Sequence, residues 1–473
     1  MRNAHAHTGL QRITAIAAAV LAIGSCSVFR VPDDTTVAQV PLETSHSSTE
    51  WHVAPSYEYD AICFIGRLAG DDYYTQFFRD EPTGISAAEM RERLTPQERR
   101  AVDRLFGTLH DRFGAVPAST LSALYAATGS SSLDEFRESI ADPRAFREEH
   151  AETLDSFYAS ALGGWRLPGF AVNRILGDLS TYFRALERLE FAAYRHRSVE
   201  PELQQLASEL SAALDSYNVV PVAEELIGGG YPSNEIRVHL ARFARPHGIS
   251  LGATSLVMEE RTDAENLVRV TIHELLHGWV DWSASPTLRA FVGRLRDDPI
   301  VRRAFEGRNR DYGYNSWTAL AEEGLTKALD QIGSEALGVA TDHRERWFFQ
   351  DDGMHVLGLA FYTVLTDSGY PESRSPGLTI QEHLSDLVLA GRLDPGTPAR
   401  IWRDTYGESR SGGYALVLPG GDRVPLRFAF AGNWTDARNG INYFYRNALF
   451  FRLPPGHAPP DHGRLVVVRA ADP

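Results

Sequence analysis

The feature that most constrains this chain is the segment His273-Glu274-Leu275-Leu276-His277. On an α-helix, positions i and i+4 lie on one face about 6 Å apart, so two histidines at this spacing can direct their imidazoles to one ion. Most flanking residues are uncharged, and burying two histidines and a glutamate is costly unless something satisfies them. The segment therefore predicts a metal site on a helix. The alternative is two core histidines hydrogen-bonded to their neighbours.

Zinc fits these donors, and a catalytic zinc site takes three protein ligands and a water. Bound zinc lowers the pKa of that water to about 7. A carboxylate beside the first histidine can take a proton from the water and return it to a departing amine. The residues therefore predict His273 and His277 as Zn²⁺ ligands and Glu274 as the general base.

This pattern resembles the zincin metallopeptidases, and among them the gluzincins. Those proteins place a strand pair, then the HExxH helix, then a second helix that supplies a glutamate as third ligand. The downstream segment "WTALAEEGLTKAL" contains Glu322 and Glu323, and Glu323 precedes Gly324 as in gluzincin third-ligand helices. The resemblance implies Glu323 as the third ligand, with Glu322 as the alternative. A surface ion pair with Lys327 is the non-functional interpretation of Glu323.

The chain departs from related patterns at two places. Metzincins follow the second histidine with a glycine and a further His or Asp, where this chain has Val280 and Ser283, so the metzincin pattern fails. The segment between His277 and Glu323 is longer than in many gluzincins, and "SPTLRAFVGRLRDDPIVRRAFEG" predicts a helical insertion that accounts for the excess.

Other residues near the motif have open roles. Asp281 stands four residues after His277, where it could orient that imidazole, become a ligand, or lie in solvent. The mechanism also requires a group that stabilises the oxyanion. The eligible side chains are Tyr312, Tyr314, His343, His355, Tyr443 and Tyr445.

The first residues predict export. Arg2 and Arg12 precede the apolar run of residues 13–24, which is too short to span a bilayer but suits a secretory signal. The run leads to Cys26 and resembles a bacterial lipoprotein signal, whose cysteine is acylated; the alternative is an ordinary secretory signal. These residues predict a lipid anchor to the membrane at the bacterial cell envelope, on the periplasmic face. Cys63 is then expected to be a small buried side chain without a disulfide partner.

Periodicity along the chain predicts an α+β protein. Residues 1–25 are expected to be the signal and 26–50 a tether, followed by a helical domain over 51–226. "EIRVHLARFA" and "HGISLGATSLVME" predict one strand each, next to the HELLH helix, within a zincin-like catalytic domain over 227–400. Residues 401–473 are expected to be a β-rich C-terminal region.

Composition and motif together define the expected function. A net charge of −15 at pH 7 argues against electrostatic nucleic-acid binding. The chain is therefore expected to be a zinc metallopeptidase that hydrolyses peptides or proteins. Two alternatives stay open: a non-catalytic envelope lipoprotein with a structural zinc, and a zinc amidase acting on cell-wall material.

Overall fold

The computed structural model describes residues 45–71, 74–75, 77–78, 87–112, 115–151, 154, 169–245, 248–252, 254–307, 316–349 and 354–406, and the strands 414–417, 423–425, 441–445, 449–453 and 466–469. The fold is α+β and mostly helical, with a small four-stranded sheet, as the periodicity predicts. The predicted signal, its Cys26 and most of the tether lie outside the described residues. Within the described part, no helix has the length and apolar character that crossing a membrane requires.

The main sheet is formed by β1 (Glu50–Pro55), β2 (Glu235–Leu240), β3 (Ile249–Gly252) and β4 (Ser255–Met258). Its order is β1-β2-β4-β3, with β1, β2 and β4 parallel and β3 antiparallel to β4. β2 confirms the strand predicted in "EIRVHLARFA". The single strand predicted in "HGISLGATSLVME" is wrong, because the chain reverses after Gly252, whose φ of 141° is readily adopted only by glycine.

The helices before the second strand are α1 to α11: Tyr57–Cys63, Ile65–Ala69, Ala87–Glu92, Pro96–Gly107, Pro117–Ala127, Leu133–Ser139, Pro143–Glu149, Gly169–Arg188, Phe191–Ser198, Glu200–Leu214 and Val219–Ile227. This region is helical as expected, but it also supplies β1, which pairs along its whole length with β2. Cys63 ends α1 and is buried, as predicted, and burial raises the pKa of its thiol.

The helices after the sheet are α12 to α19: Ala264–Leu275, Pro286–Arg294, Pro299–Gly307, Trp317–Ala336, His343–Phe349, Val356–Asp367, Ile380–Leu389 and Thr397–Tyr406. The helical insertion predicted after the motif is confirmed as α13 and α14, and the Glu-bearing helix as α15. Farther on, β5 (Tyr414–Val417), β6 (Arg423–Pro425) and β9 (Val466–Arg469) form one small sheet, and β7 (Ile441–Tyr445) pairs with β8 (Leu449–Leu453). The predicted boundary at residue 401 falls inside α19.

One cluster of buried apolar side chains joins the main sheet to the helices that precede and follow it, from Ile62 in α1 through Val238 in β2 and Ile272 in α12 to Trp402 in α19. Two close helix contacts within it depend on glycines of α15. A β-carbon on Gly333 would lie 2.9 Å from Ile272 Cγ1, and one on Gly324 would lie 2.8 Å from Leu357 Cβ in α17. The absent side chains let α15 approach both α12 and α17.

Candidate metal centre

Helix α12 carries the first three residues of the HExxH motif, His273 to Leu275. Asp263 caps its start and accepts a hydrogen bond from the Asn266 backbone N at 2.7 Å. Leu267 and Ile272 are fully buried, so the helix packs one face into the core. His273 and Glu274 are each only 5% exposed, which places two polar side chains at the edge of that core.

The helix ends at Leu275, before the motif is complete. Gly278 adopts a left-handed φ of 76°, the usual helix-terminating conformation. The Leu275 carbonyl accepts a hydrogen bond from Tyr231 Oη and another from Trp279 Nε1 at 2.9 Å. These bonds replace the helical partner that this carbonyl lacks at the end of the helix. His277 therefore lies in the terminal turn, and tertiary contacts fix its position.

The early helix end decides among the roles left open for Asp281. Its carboxylate is exposed and accepts hydrogen bonds from Ser283 N and Oγ at 2.9 and 2.7 Å and from Ala284 N at 2.9 Å. Of the three roles left open for Asp281, the exposed one holds, because helical i, i+4 spacing does not extend past Gly278. Asp281 stabilises the following turn.

His273, His277 and Glu323 converge on one point. The two Nε2 atoms are 3.1 Å apart. Glu323 Oε1 lies 3.8 Å from His273 Nε2, and its Oε2 lies 3.7 Å from His277 Nε2. The structure thus brings together the three residues predicted as metal ligands, although two come from the HELLH segment and the third from α15.

These distances fit a shared zinc ion. Zinc binds imidazole nitrogen and carboxylate oxygen at about 2.0–2.2 Å, so two donors of one ion can be no more than about 4.4 Å apart. The two Nε2 atoms, 3.1 Å apart, lie within that limit, and so does each of them with its nearer Glu323 oxygen, Oε1 at 3.8 Å from His273 and Oε2 at 3.7 Å from His277. Two imidazoles and a carboxylate are also a donor set found in catalytic zinc sites.

Glu322, the alternative third ligand, has different contacts. Its carboxylate accepts hydrogen bonds from Gly278 N and Trp282 Nε1, each at 2.6 Å. It lies 3.7 Å from Nδ1 of His277, on the side of the ring away from the convergent nitrogens. Glu322 therefore holds the turn that carries His277, and it does not join the ligand group.

Contacts to the Nδ1 atoms orient both imidazoles. His273 Nδ1 donates to Asp330 Oδ2 at 2.6 Å, and Arg346 holds the same carboxylate, with Nη2 2.8 Å from Oδ2. Thr326 Oγ1 lies 3.3 Å from Nδ1 of His277. A proton on Nδ1 of His273 leaves the lone pair of its Nε2 available for a metal.

Sequence analysis missed Asp330, although a signal was present. Asp330 lies seven residues after Glu323, close to two helical turns, and therefore on the same face of α15. Its packing against the first histidine required the crossing of α12 and α15, which the pattern does not reveal.

Glu274 is the general-base candidate, and its environment is unusual. Both carboxylate oxygens are buried and have no hydrogen-bond partner among the described residues. A buried polar group without a partner costs about 1–3 kcal/mol, and more when it is charged. Its charge also contributes to raising the pKa of His277, so the carboxylate acts electrostatically on a predicted ligand. A bound ion with its coordinated water would satisfy this carboxylate.

The charges around the site favour a divalent cation. Glu274, Glu323 and Asp330 are buried and Glu322 is partly buried, whereas the cations that contact this group among the described residues are Lys327 and Arg346. With neutral histidines, four carboxylates and two cations leave two negative charges. An ion of charge +2 would balance them, and uncompensated buried charge is strongly unfavourable.

The pKa of His277 reflects the negative charge around it, and the pKa of Asp330 reflects its cationic partners. Burial alone would lower the pKa of His277, but its hydrogen bond with Glu322 and the charges of Glu323 and Glu274 raise that pKa to about 8. Burial alone would raise the pKa of Asp330, but Arg346 and His273 hold it at about 2. Glu322 and Asp330, the partners of the two imidazoles, are thus stabilised as carboxylates, the form in which they accept hydrogen bonds from imidazole.

Comparison with known proteins identifies no relative. No protein-family model, curated protein or solved structure matches this chain.

Among the candidates for oxyanion stabilisation, the structure places His355 near the site. His355 is 1% exposed and immediately precedes α17, whose first turn packs on Gly324. It is also among the charges that lower the pKa of Glu323. His343 lies instead against the ring of Tyr362, with ring centroids 5.0 Å apart. Of the remaining candidates, the described part of the chain omits Tyr312 and Tyr314 and includes only the backbone of Tyr443 and Tyr445.

Proposed function

We propose that this chain is a zinc-dependent metallopeptidase of the gluzincin type, in which His273, His277 and Glu323 hold Zn²⁺ and Glu274 is the general base. The observation that carries the proposal is the convergence of His273 Nε2 and His277 Nε2, 3.1 Å apart, with the Glu323 carboxylate, whose oxygens lie 3.8 and 3.7 Å from them. Glu274, the residue after His273, is buried and has no hydrogen-bond partner among the described residues.

Each residue of the site has a distinct task. Bound zinc would supply Lewis acidity, which lowers the pKa of a coordinated water and polarises the substrate carbonyl. Glu274 accepts the proton of the attacking water at a carboxylate oxygen and delivers it to the nitrogen of the departing amine. Asp330 keeps the His273 ring in one orientation and tautomer, and Glu322 holds the turn that carries His277.

The arrangement of the sheet supports a peptide substrate. β3 is one of the two edge strands of the main sheet and the antiparallel one, and its neighbour β4 is followed directly along the chain by α12. The outer edge of β3 has no partner strand among the described residues. An extended peptide can add to such an edge through backbone hydrogen bonds. The order of strand pair, motif helix and glutamate helix is the one that the gluzincin resemblance implies, so a zincin-like core belongs to the same proposal.

The cellular location is part of the proposal and depends on the sequence alone. The charged start, the apolar run and Cys26 favour a lipid anchor at the periplasmic face of a bacterial envelope. Envelope peptides or proteins would then be the substrates.

A structural zinc is the main competing role, and the geometry favours it less. Structural zinc sites are usually closed by four protein ligands. Among the described residues, three potential ligands converge, and Asp281 is directed elsewhere. A fourth position is thus left to water or substrate, which is the arrangement of a catalytic site.

Zinc content and peptidase activity, measured on the same full-length preparations, test the proposal. We expect about one zinc per chain in the wild type and in Glu274→Gln, because Glu274 is not a ligand. Peptide hydrolysis should fall by about 10²-fold or more in Glu274→Gln, through loss of proton transfer. Asp281→Asn, which changes an exposed acid outside the ligand group, is the matched control and should keep both. A folded wild type that binds no zinc would overturn the proposal, as would full activity in Glu274→Gln.

A further inference from the structure

Lys327 is a buried lysine beside the third ligand. It lies one turn after Glu323 on α15, and both side chains are only 4% exposed. Its Nζ is 3.3 Å from Glu323 Oε1. The surface ion pair considered from the sequence is thus present as a pair but enclosed by the protein. Lysine is almost never fully buried unless it is paired, so this position calls for a reason beyond surface electrostatics.

The two oxygens of Glu323 have different neighbours. Oε1 faces Lys327 Nζ at 3.3 Å and His273 Nε2 at 3.8 Å, whereas Oε2 lies 3.7 Å from His277 Nε2. Both oxygens thus border the convergent nitrogens, and without the lysine both would be available to one ion. A carboxylate can bind a metal through one oxygen or through two.

On the basis of the proposed function, we propose that Lys327 is a positioning residue that engages Oε1 and restricts Glu323 to binding zinc through Oε2 alone. The ammonium competes for the Oε1 lone pairs with a charge-assisted hydrogen bond. The restriction keeps one coordination position for water and substrate, which a catalytic zinc requires. It also withdraws electron density from the ligand, so the ion stays more electrophilic.

This role predicts how the metal responds when the lysine is replaced. In Lys327→Met a side chain of similar length and no charge occupies the space. The ammonium then no longer competes for Oε1, and zinc can engage both oxygens of Glu323. The coordination number then rises, and zinc binds more tightly because the ion gains a donor and loses a nearby positive charge. Lys327→Arg keeps a cationic donor and should behave like the wild type.

Cobalt substitution reports coordination without any need for activity. Full-length wild type, Lys327→Met and Lys327→Arg are loaded with Co²⁺, and their visible absorption is compared after circular dichroism has shown equal folding. We expect the absorptivity of Lys327→Met to fall by about a factor of two or more, as a tetrahedral site gains a ligand. We expect Lys327→Arg to match the wild type and Lys327→Met to bind zinc more tightly in chelator competition. Identical cobalt spectra for all three proteins would overturn the inference.

X-ray absorption of the zinc-loaded wild type tests the same point without a variant. One carboxylate oxygen in addition to two imidazoles and a water supports the role of Lys327, and a carboxylate bound through both oxygens refutes it. Failure of the wild type to bind either metal would refute the proposed function itself, whereas binding with unchanged spectra would refute only the role of Lys327.

Discussion

The contact between Asp330 and His273 leads to a quantitative prediction. Asp330 Oδ2 accepts hydrogen bonds from His273 Nδ1 at 2.6 Å and from Arg346 Nη2 at 2.8 Å, and Oδ1 accepts from Arg346 Nη1. Replacing Asp330 by Asn preserves the shape but converts one oxygen to an NH₂ donor. The remaining oxygen can still accept a hydrogen bond from His273, but as a neutral acceptor. The NH₂ group then faces the guanidinium of Arg346, another donor.

The expected magnitude follows from this change. A hydrogen bond to a charged group contributes about 1.5–3 kcal/mol and a neutral one about half of that. The loss of about 0.75–1.5 kcal/mol corresponds to a zinc affinity about four- to twelvefold weaker. The larger value reaches the lower end of the 10–100-fold range found when an outer partner of a metal-bound histidine is mutated. Asp330→Ala removes the acceptor entirely and leaves Arg346 buried without its carboxylate, so we expect about a hundredfold loss.

Chelator competition at fixed pH measures these affinities, and thermal unfolding without metal measures whether the variants fold. Asp281→Asn is again the control, because that side chain is exposed and contacts only the next turn. If both Asp330 variants fold and bind zinc within about twofold of the wild type, His273 does not bind the metal in the orientation that Asp330 holds, and the assigned ligand set is wrong.

Two further predictions concern stability. Gly324→Ala should destabilise the fold by about 1–3 kcal/mol, because the new β-carbon would lie 2.8 Å from Leu357 Cβ. The control is Gly177→Ala, a helical position where a β-carbon meets nothing within 4 Å, and this variant should be neutral or stabilising. Equal melting temperatures for the two variants in thermal unfolding would contradict the prediction. Glu98 caps α4 and pairs with Arg188, whose hydrogen bond lowers the Glu98 pKa to about 2, so its contribution is complete above pH 4.5 and is lost as pH falls towards 2. Because Arg188 is partly exposed, we expect this contribution to the free energy of unfolding to be about 1 kcal/mol. It is measured as the difference in that free energy between wild type and Glu98→Gln, from urea unfolding at pH 6 and at pH 2.5. A difference that does not shrink on acidification would refute the prediction.

Local patterns predicted much of the helical structure. Helical periodicity identified α13, α14 and α15 in outline, and alternation identified β2, because these signals depend on which face of a single element is apolar. The alternation also treated β3 and β4 as one strand, since a glycine inside a strand and a glycine at a reversal look alike in sequence. The participation of β1 in the sheet depended on pairing with residues far away in the chain, which no local pattern encodes.

The candidate site also has features that the sequence determined and features that tertiary packing decided. The spacing of His273 and His277 and the position of Glu274 were determined by the chain itself, because neighbouring residues stay close together in any fold. Tertiary packing alone decided that Glu323 turns to the imidazoles while Glu322 holds the turn after α12, and that Asp330 and Lys327 border the ligands. The physical reason is that adjacent residues on a helix point about 100° apart, so the crossing of α12 and α15 selects one carboxylate for the site and directs the other away from it.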